Sequence, residues 1–299
     1  MSAISLHGLS KQYGALLAVN NLTLEVREGE IFGFLGLNGA GKTTTIRILL
    51  DLIRPSSGRA TMFGLDCQRQ GQAVRSRVGY LPGETGLYRD VTGQDALDLF
   101  ARLSATNVHP AFRQRLLDRL ELSNADLRRT LREYSTGMKR KLGIVQAFQH
   151  DPEALILDEP TEGLDPLMRD AFYELLAETK ARGRTVFMSS HVLSEVQGIC
   201  DHVGLIRKGS LVLQATVEGI RHMAPRRVSV TFRDNVPGPV AEPSGNWRIE
   251  TVEPRRWILL LTGPAGPLLQ ELAARPVVDL QIHEPDLEDV LRQYYREAT

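Results

Sequence analysis

Short apolar runs alternate with amphipathic stretches up to about residue 215. Residues 31–36, 154–158 and 185–189 read as strands buried on both faces. Between them the spacing is helical. Thr92 and Asp95 form a capping-box pair ahead of Ala96, Leu97 and Phe100. Pro110 sits where a first helical turn tolerates it, before Phe112, Leu116, Leu117 and Leu120. Asp165 and Pro166 pair as N-cap and first helical residue before Leu167, Ala171, Phe172, Leu175 and Leu176. Strands alternating with helices predict an α/β domain on a largely parallel sheet. The N-terminal segment differs, with short antiparallel strands predicted over 4–9 and 22–26.

The character changes after Gln214. Pro225, Pro237, Pro239 and Pro243 cluster, and strand-like runs follow at 227–232, 247–252 and 257–262. Helical spacing covers 264–274 and, at the end, 287–295. The expected organisation is an α/β domain over 1–218 and a small α+β domain over 222–299, with no internal repeat.

Composition narrows the function. The 299 residues carry 36 Lys plus Arg against 36 Asp plus Glu, a net charge of zero. That balance lacks the basic excess that non-specific nucleic-acid binding needs, so no nucleic-acid partner is expected. Hydrophobic residues make up 42% and charged residues 24% of the chain. Those proportions describe a folded protein and not a disordered one. No apolar run approaches the roughly 18 residues of a membrane-spanning helix. Residues 1–10 lack a basic segment leading into an apolar one, so no secretory signal is expected. Cys67 and Cys200 form no CxxC pair and fit packing roles in a reducing compartment.

Gly36-Leu37-Asn38-Gly39-Ala40-Gly41-Lys42-Thr43, followed by Thr44, matches GxxxxGK[ST]. Glycines let successive backbone N–H groups turn inward onto phosphate oxygens, and the dipole of the following helix adds to the cradle. Lys42 is expected to reach the β- and γ-phosphates, and the Thr43 hydroxyl to ligate Mg²⁺. A strand precedes the motif and an apolar helix follows it, as a phosphate loop requires. Alone, the motif means only a nucleoside triphosphate.

The apolar strand 154–158 ends in Asp158 and Glu159. A carboxylate at a strand end near the phosphate loop suits Mg²⁺, which assigns Asp158; Glu159 then stands where it can polarise an attacking water. By itself the pair also fits a solvated acidic turn. His191 follows the strand 185–189 and reads either as a polar loop residue or as a γ-phosphate contact.

Tyr134-Ser135-Thr136-Gly137-Met138-Lys139-Arg140-Lys141 separates the possibilities. Together with the preceding motifs it resembles the LSGGQ signature of ABC-type ATPases, in the form YSTGM. The resemblance covers about residues 2–215. It implies a P-loop NTPase cassette with a RecA-like core, an antiparallel β subdomain and an α-helical subdomain. Glu162-Gly163-Leu164-Asp165 is similar to the D-loop, His191 to the switch histidine, and Tyr13 to the aromatic residue that stacks on adenine. Tyr13 taken alone reads as a packed strand-end aromatic. Gly137 opens an amphipathic helix expected over 138–150, and its Ser135 hydroxyl and backbone amides form an anion site. In the family that site caps the nucleotide of a second cassette, so Ser135, Gly137 and Asp165 imply a homodimer or a pairing with a paralogous cassette.

Two departures stand out. Thr136 and Met138 replace the second and fifth signature residues. Gly83 sits where the family carries a Mg²⁺-ligating Gln; either Glu84 or the Gly83 carbonyl takes over part of that role, or the loop is only a partner-docking surface. The stretch Gly79-Tyr80-Leu81-Pro82-Gly83-Glu84 and the tail Glu284-Pro285-Asp286-Leu287 are similar to the ABC-2 or drug-resistance exporter branch. That implies an ATP-hydrolysing subunit at the cytoplasmic face of the plasma membrane, working with separate transmembrane permease subunits. A soluble ABC-type ATPase in a non-transport process is the alternative. A GTPase is disfavoured because no Asn-Lys-x-Asp run is present, and neither a GTPase nor a small-molecule kinase accounts for residues 134–141.

Overall fold

The computed structural model describes residues 1–84, 86, 89–104, 107–223, 225–237 and 246–283. Pro239, Pro243, the tail from Glu284 and the helix expected over 287–295 lie outside the described residues. The chain divides into two compact units, Met1–Ala215 and Thr216–Thr299, so residues 216–218 fall in the second.

The first unit opens with the antiparallel pair β1 (Ser2–Tyr13) and β2 (Leu16–Arg27). Both strands are longer than the 4–9 and 22–26 segments expected. Their pairing shifts register at four points, and each shift breaks the strict alternation by which a strand is recognised. After β3 (Ile31–Leu35) and α1 (Lys42–Leu49), the strands β4 (Ser57–Met62) and β5 (Leu65–Asp66) complete a sheet of order β2-β1-β4-β5.

Next come α2 (Gly71–Arg75) and β6 (Val78–Leu81), then a helical segment of α3 (Gly93–Leu103), α4 (Pro110–Arg119), α5 (Asn124–Leu127) and α6 (Thr136–Phe148). Caps explain where these helices start. Thr92 Oγ1 accepts the Asp95 N–H at 3.1 Å, and Ser135 Oγ accepts the Met138 N–H at 3.1 Å, each satisfying an amide that the helix itself cannot. α6 therefore begins at Thr136, ahead of the expected 138.

The chain then alternates through β7 (Ala154–Asp158), α7 (Pro166–Ala181), β8 (Thr185–Ser190), α8 (Leu193–Gln197), β9 (His202–Arg207) and β10 (Ser210–Thr216). The main sheet has the order β10-β9-β3-β8-β7-β6, and the pairings of β9, β3, β8, β7 and β6 are parallel. β3, β7 and β8 are buried at every position, as parallel strands covered on both faces are. Phe32 and Phe187 stack at 5.7 Å between ring centres across β3 and β8. Leu35 is in register with Ser190, and Asp158 with Ser189. The carboxyl ends of β3, β8 and β7 thus form one edge, where open α/β sheets bind ligands.

In the second unit α9 (Val217–Met223) precedes a four-stranded antiparallel sheet. Its strands are β11 (Arg226–Phe232), β12 (Trp247–Glu253), β13 (Arg256–Leu261) and, after α10 (Gly266–Ala273), β14 (Val277–His283), in the order β12-β13-β11-β14. Val228, Val230, Phe232, Trp257, Leu259 and Leu261 bury one face against Leu268 and Leu272 of α10. β14 was not expected: its apolar Val278 and Ile282 are exposed, which blurs the pattern.

Candidate active site

The loop between β3 and α1 is built on backbone that only glycine supplies. Gly41 caps α1 at φ 111°, and a Cβ there would lie 2.5 Å from the Ala18 carbonyl oxygen. A Cβ on Gly36 would lie 2.6 Å from the Ile206 carbonyl oxygen. Ala40 closes the turn, its N–H donating to the Leu37 carbonyl at 3.0 Å. The resulting cleft, about 290 Å³, is lined by Tyr13, Leu16, Ala18, Asn38, Gly39, Gly41, Lys42, Thr43, Thr44 and Glu159, among others. Tyr13 is 45% exposed at the end of β1, with the Lys11 ammonium 4.9 Å from its ring centre.

Charge converges at the floor of the cleft. Buried Lys42 donates to the Gly36 carbonyl at 2.5 Å and stands 3.1 Å from Glu159 Oε1. The other carboxylate oxygen of Glu159 lies 2.8 Å from His191 Nδ1. Glu159 itself has φ 48 degrees. That is a left-handed conformation, uncommon for a non-glycine residue. Its N–H donates to Ser189 Oγ at 3.0 Å, and that hydroxyl donates to Asp158 Oδ1 at 2.5 Å. Sequence reasoning missed Ser189; its position at the end of a strand beside the Asp158 strand was the available signal.

Asp158 is buried, and its Oδ2 lies 3.5 Å from where a Cβ on Gly83 would be. Gly83 therefore leaves that side of the carboxylate clear. Hard oxygen donors from one carboxylate and the Thr43 hydroxyl suit Mg²⁺, which takes few protein ligands and relies on substrate phosphates. Among the described residues no cluster of three or more His, Cys, Asp or Glu forms a protein cage for a metal. Glu84 is exposed, and the Gly83 carbonyl accepts from Arg140 Nη1 at 3.2 Å. Tyr80, beside this loop, has its hydroxyl pKa raised by burial and further by Asp158.

Ser135, Gly137 and Asp165 do not line the cleft. Ser135 is exposed at the start of α6 and Asp165 at the start of α7, where its carboxylate accepts the Met168 N–H at 3.0 Å. Gly137 lies close to the D-loop: a Cβ on it would be 3.2 Å from the Gly163 carbonyl oxygen.

A parallel sheet, a phosphate loop after β3 at its carboxyl edge and two acids at the end of β7, with β8 between the two strands, define a P-loop NTPase of the α/β class. A family model described as ABC transporter matches residues 19–162. The bacitracin transport ATP-binding protein of Bacillus licheniformis is 40% identical over 68% of this chain, which spans 66% of that protein, just under two thirds. The daunorubicin resistance ATP-binding protein of Streptomyces coeruleorubidus is 35% identical over 78% of this chain and 74% of its own length. A solved ATP-binding subunit of an ABC transporter is 32% identical, with TM-score 0.68 over 73% of this chain and 92% of its own. The chain belongs to the ATP-binding cassettes of ABC transporters, a family of ATPases. No helix among the described residues is long and apolar enough to cross a membrane.

Proposed function

We propose that the chain hydrolyses ATP to power a membrane exporter of ABC-2 type, two cassettes associating around bound nucleotide. The observation that carries this reading is the Glu159 carboxylate, held at the phosphate loop between Lys42 at 3.1 Å and His191 at 2.8 Å. A carboxylate placed there accepts a proton from the attacking water, and His191 fixes its direction while contacting the γ-phosphate.

The remaining residues divide the work. Gly36, Asn38, Gly39, Ala40 and Gly41 turn backbone N–H groups onto the phosphates, and Lys42, Thr43 and Thr44 add charge and hydroxyls. Tyr13 stacks on the adenine. Thr43 and Asp158, with Glu84 as a further candidate, would hold Mg²⁺. Bound Mg²⁺ neutralises charge developing on the phosphate oxygens. Ser135, Gly137 and Asp165, lying off the cleft, act on the nucleotide of the facing cassette, a homodimeric copy or a paralogue.

The permease is a separate transmembrane subunit, and the cassette sits peripherally on it at the cytoplasmic face. The daunorubicin-resistance name of one relative supports the export direction. Cell fractionation tests this. The chain should sediment with membranes and co-purify with a membrane protein whose presence stimulates ATP turnover. Full activity in the soluble fraction without such a partner would favour a soluble ATPase in a non-transport process.

A further inference from the structure

Arg140 has no part in the chemistry described above, yet its exposure is only 3%. A guanidinium has five N–H donors and no acceptor, and here every one is directed at a backbone carbonyl. Nε donates to Pro160 at 3.0 Å. Nη1 donates to Pro82 at 2.6 Å and Gly83 at 3.2 Å. Nη2 donates to Asp158 at 2.9 Å and also to Glu159. The acceptors come from two places: the turn that ends β7 and the loop that follows β6.

The Glu159 carbonyl can turn toward Arg140 because its residue adopts the left-handed φ of 48 degrees. Such a conformation is strained for a non-glycine residue, and the surroundings must hold it. Ser189 holds the N–H of Glu159 at 3.0 Å, and Arg140 holds its C=O. The peptides on both sides of Glu159 are therefore fixed, and its carboxylate is delivered between Lys42 and His191. Burial lowers the guanidinium pKa, while Glu162, Asp158 and Glu159 act in the opposite sense. Arg140 is carried by α6, whose N-cap is Ser135.

We propose that Arg140 is a positioning residue for Glu159, tying the helix capped by Ser135 to the backbone of the proposed base and to the Pro82-Gly83 loop. This rests on the reading of Glu159 as that base. The planar fork is what the role requires: Lys has three donors at one point and cannot serve five carbonyls at once.

The test uses the full chain with Arg140→Lys and Arg140→Gln, the second removing the buried charge while keeping two donors. Turnover at saturating ATP should fall about 100-fold, as displacement of a catalytic group by an ångström does. The KM for ATP and the affinity for a fluorescent ATP analogue should stay within about twofold, because the phosphate loop is untouched. In the Glu159→Gln background the same substitutions should lower the residual rate by no more than about twofold, since residues acting as one unit are not additive. Equal losses in both backgrounds, a parallel loss of nucleotide affinity, or wild-type turnover in both variants would overturn the proposal. So would failure of both variants to fold, which would make Arg140 a purely structural residue. Wild-type turnover in Glu159→Gln alone would instead remove the reading of Glu159 on which the proposal stands.

Discussion

Lys42 Nζ stands 3.1 Å from Glu159 Oε1, with both side chains largely buried at the phosphate loop. The same ammonium donates to the carbonyls of Gly36 and Leu37, so it already spans the space between loop and carboxylate. Lys42→Ala should weaken ATP binding at least about tenfold, the loss of one charge-assisted hydrogen bond of about 1.5–3 kcal/mol. Titration with a fluorescent nucleotide measures this; unchanged affinity would mean that Lys42 serves only to pair Glu159.

Ser135 has two separable roles. As N-cap of α6 its hydroxyl accepts the Met138 N–H, and Ser135→Ala should cost about 1 kcal/mol of stability. Being outside the cleft, it should leave nucleotide affinity of the monomer intact while impairing ATP-driven association. Equilibrium titration and light scattering on the same sample separate the two. Equal loss of both would contradict action on a facing cassette.

Gly41→Ala should be far more damaging than an ordinary surface change. The new Cβ would meet the Ala18 carbonyl oxygen at 2.5 Å, at a φ of 111° that no L-residue adopts readily. Strain of about 1–3 kcal/mol is expected, together with loss of nucleotide binding. A lowered unfolding midpoint with binding retained would show that the loop can relax without its glycine geometry.

His150 introduces an acid-sensitive element. Burial pulls its pKa below the ordinary 6.5, against opposing effects of a Val78 backbone hydrogen bond and of Asp151. The folded state therefore binds a proton less readily than the unfolded one. Stability should be full above the ordinary value and fall as pH drops from about 6.5 toward the depressed folded value. Thermal unfolding followed between about pH 7 and about pH 5 should show this decline, and His150→Gln should flatten it. An identical slope in the variant would assign the decline to other groups.

Much of this was legible in the chain because the decisive signals are local. The apolar runs of β3, β7 and β8 and the caps Thr92 and Asp165 all declare themselves within a few residues. Strand order did not, because the β3–β8 and β6–β7 pairings join segments far apart in sequence. Arg140 was hidden inside the basic run Lys139-Arg140-Lys141, which reads as a solvated face. Its helical spacing to buried Ile144 and Ala147 was the overlooked clue, since i, i+4 and i+7 share one stripe. The pairing of Lys42 with Glu159 depends on three strands meeting at one edge and has no linear trace.

Glu159→Gln offers the most direct test of ATP hydrolysis by this carboxylate between two cassettes. Phosphate release and molecular mass are measured on the same purified chain with ATP and Mg²⁺. Turnover should fall by about 10²–10⁴-fold, the contribution of a general base, and the variant should accumulate as an ATP-bound dimer. Wild-type turnover, or a chain that remains monomeric with ATP bound, would contradict it.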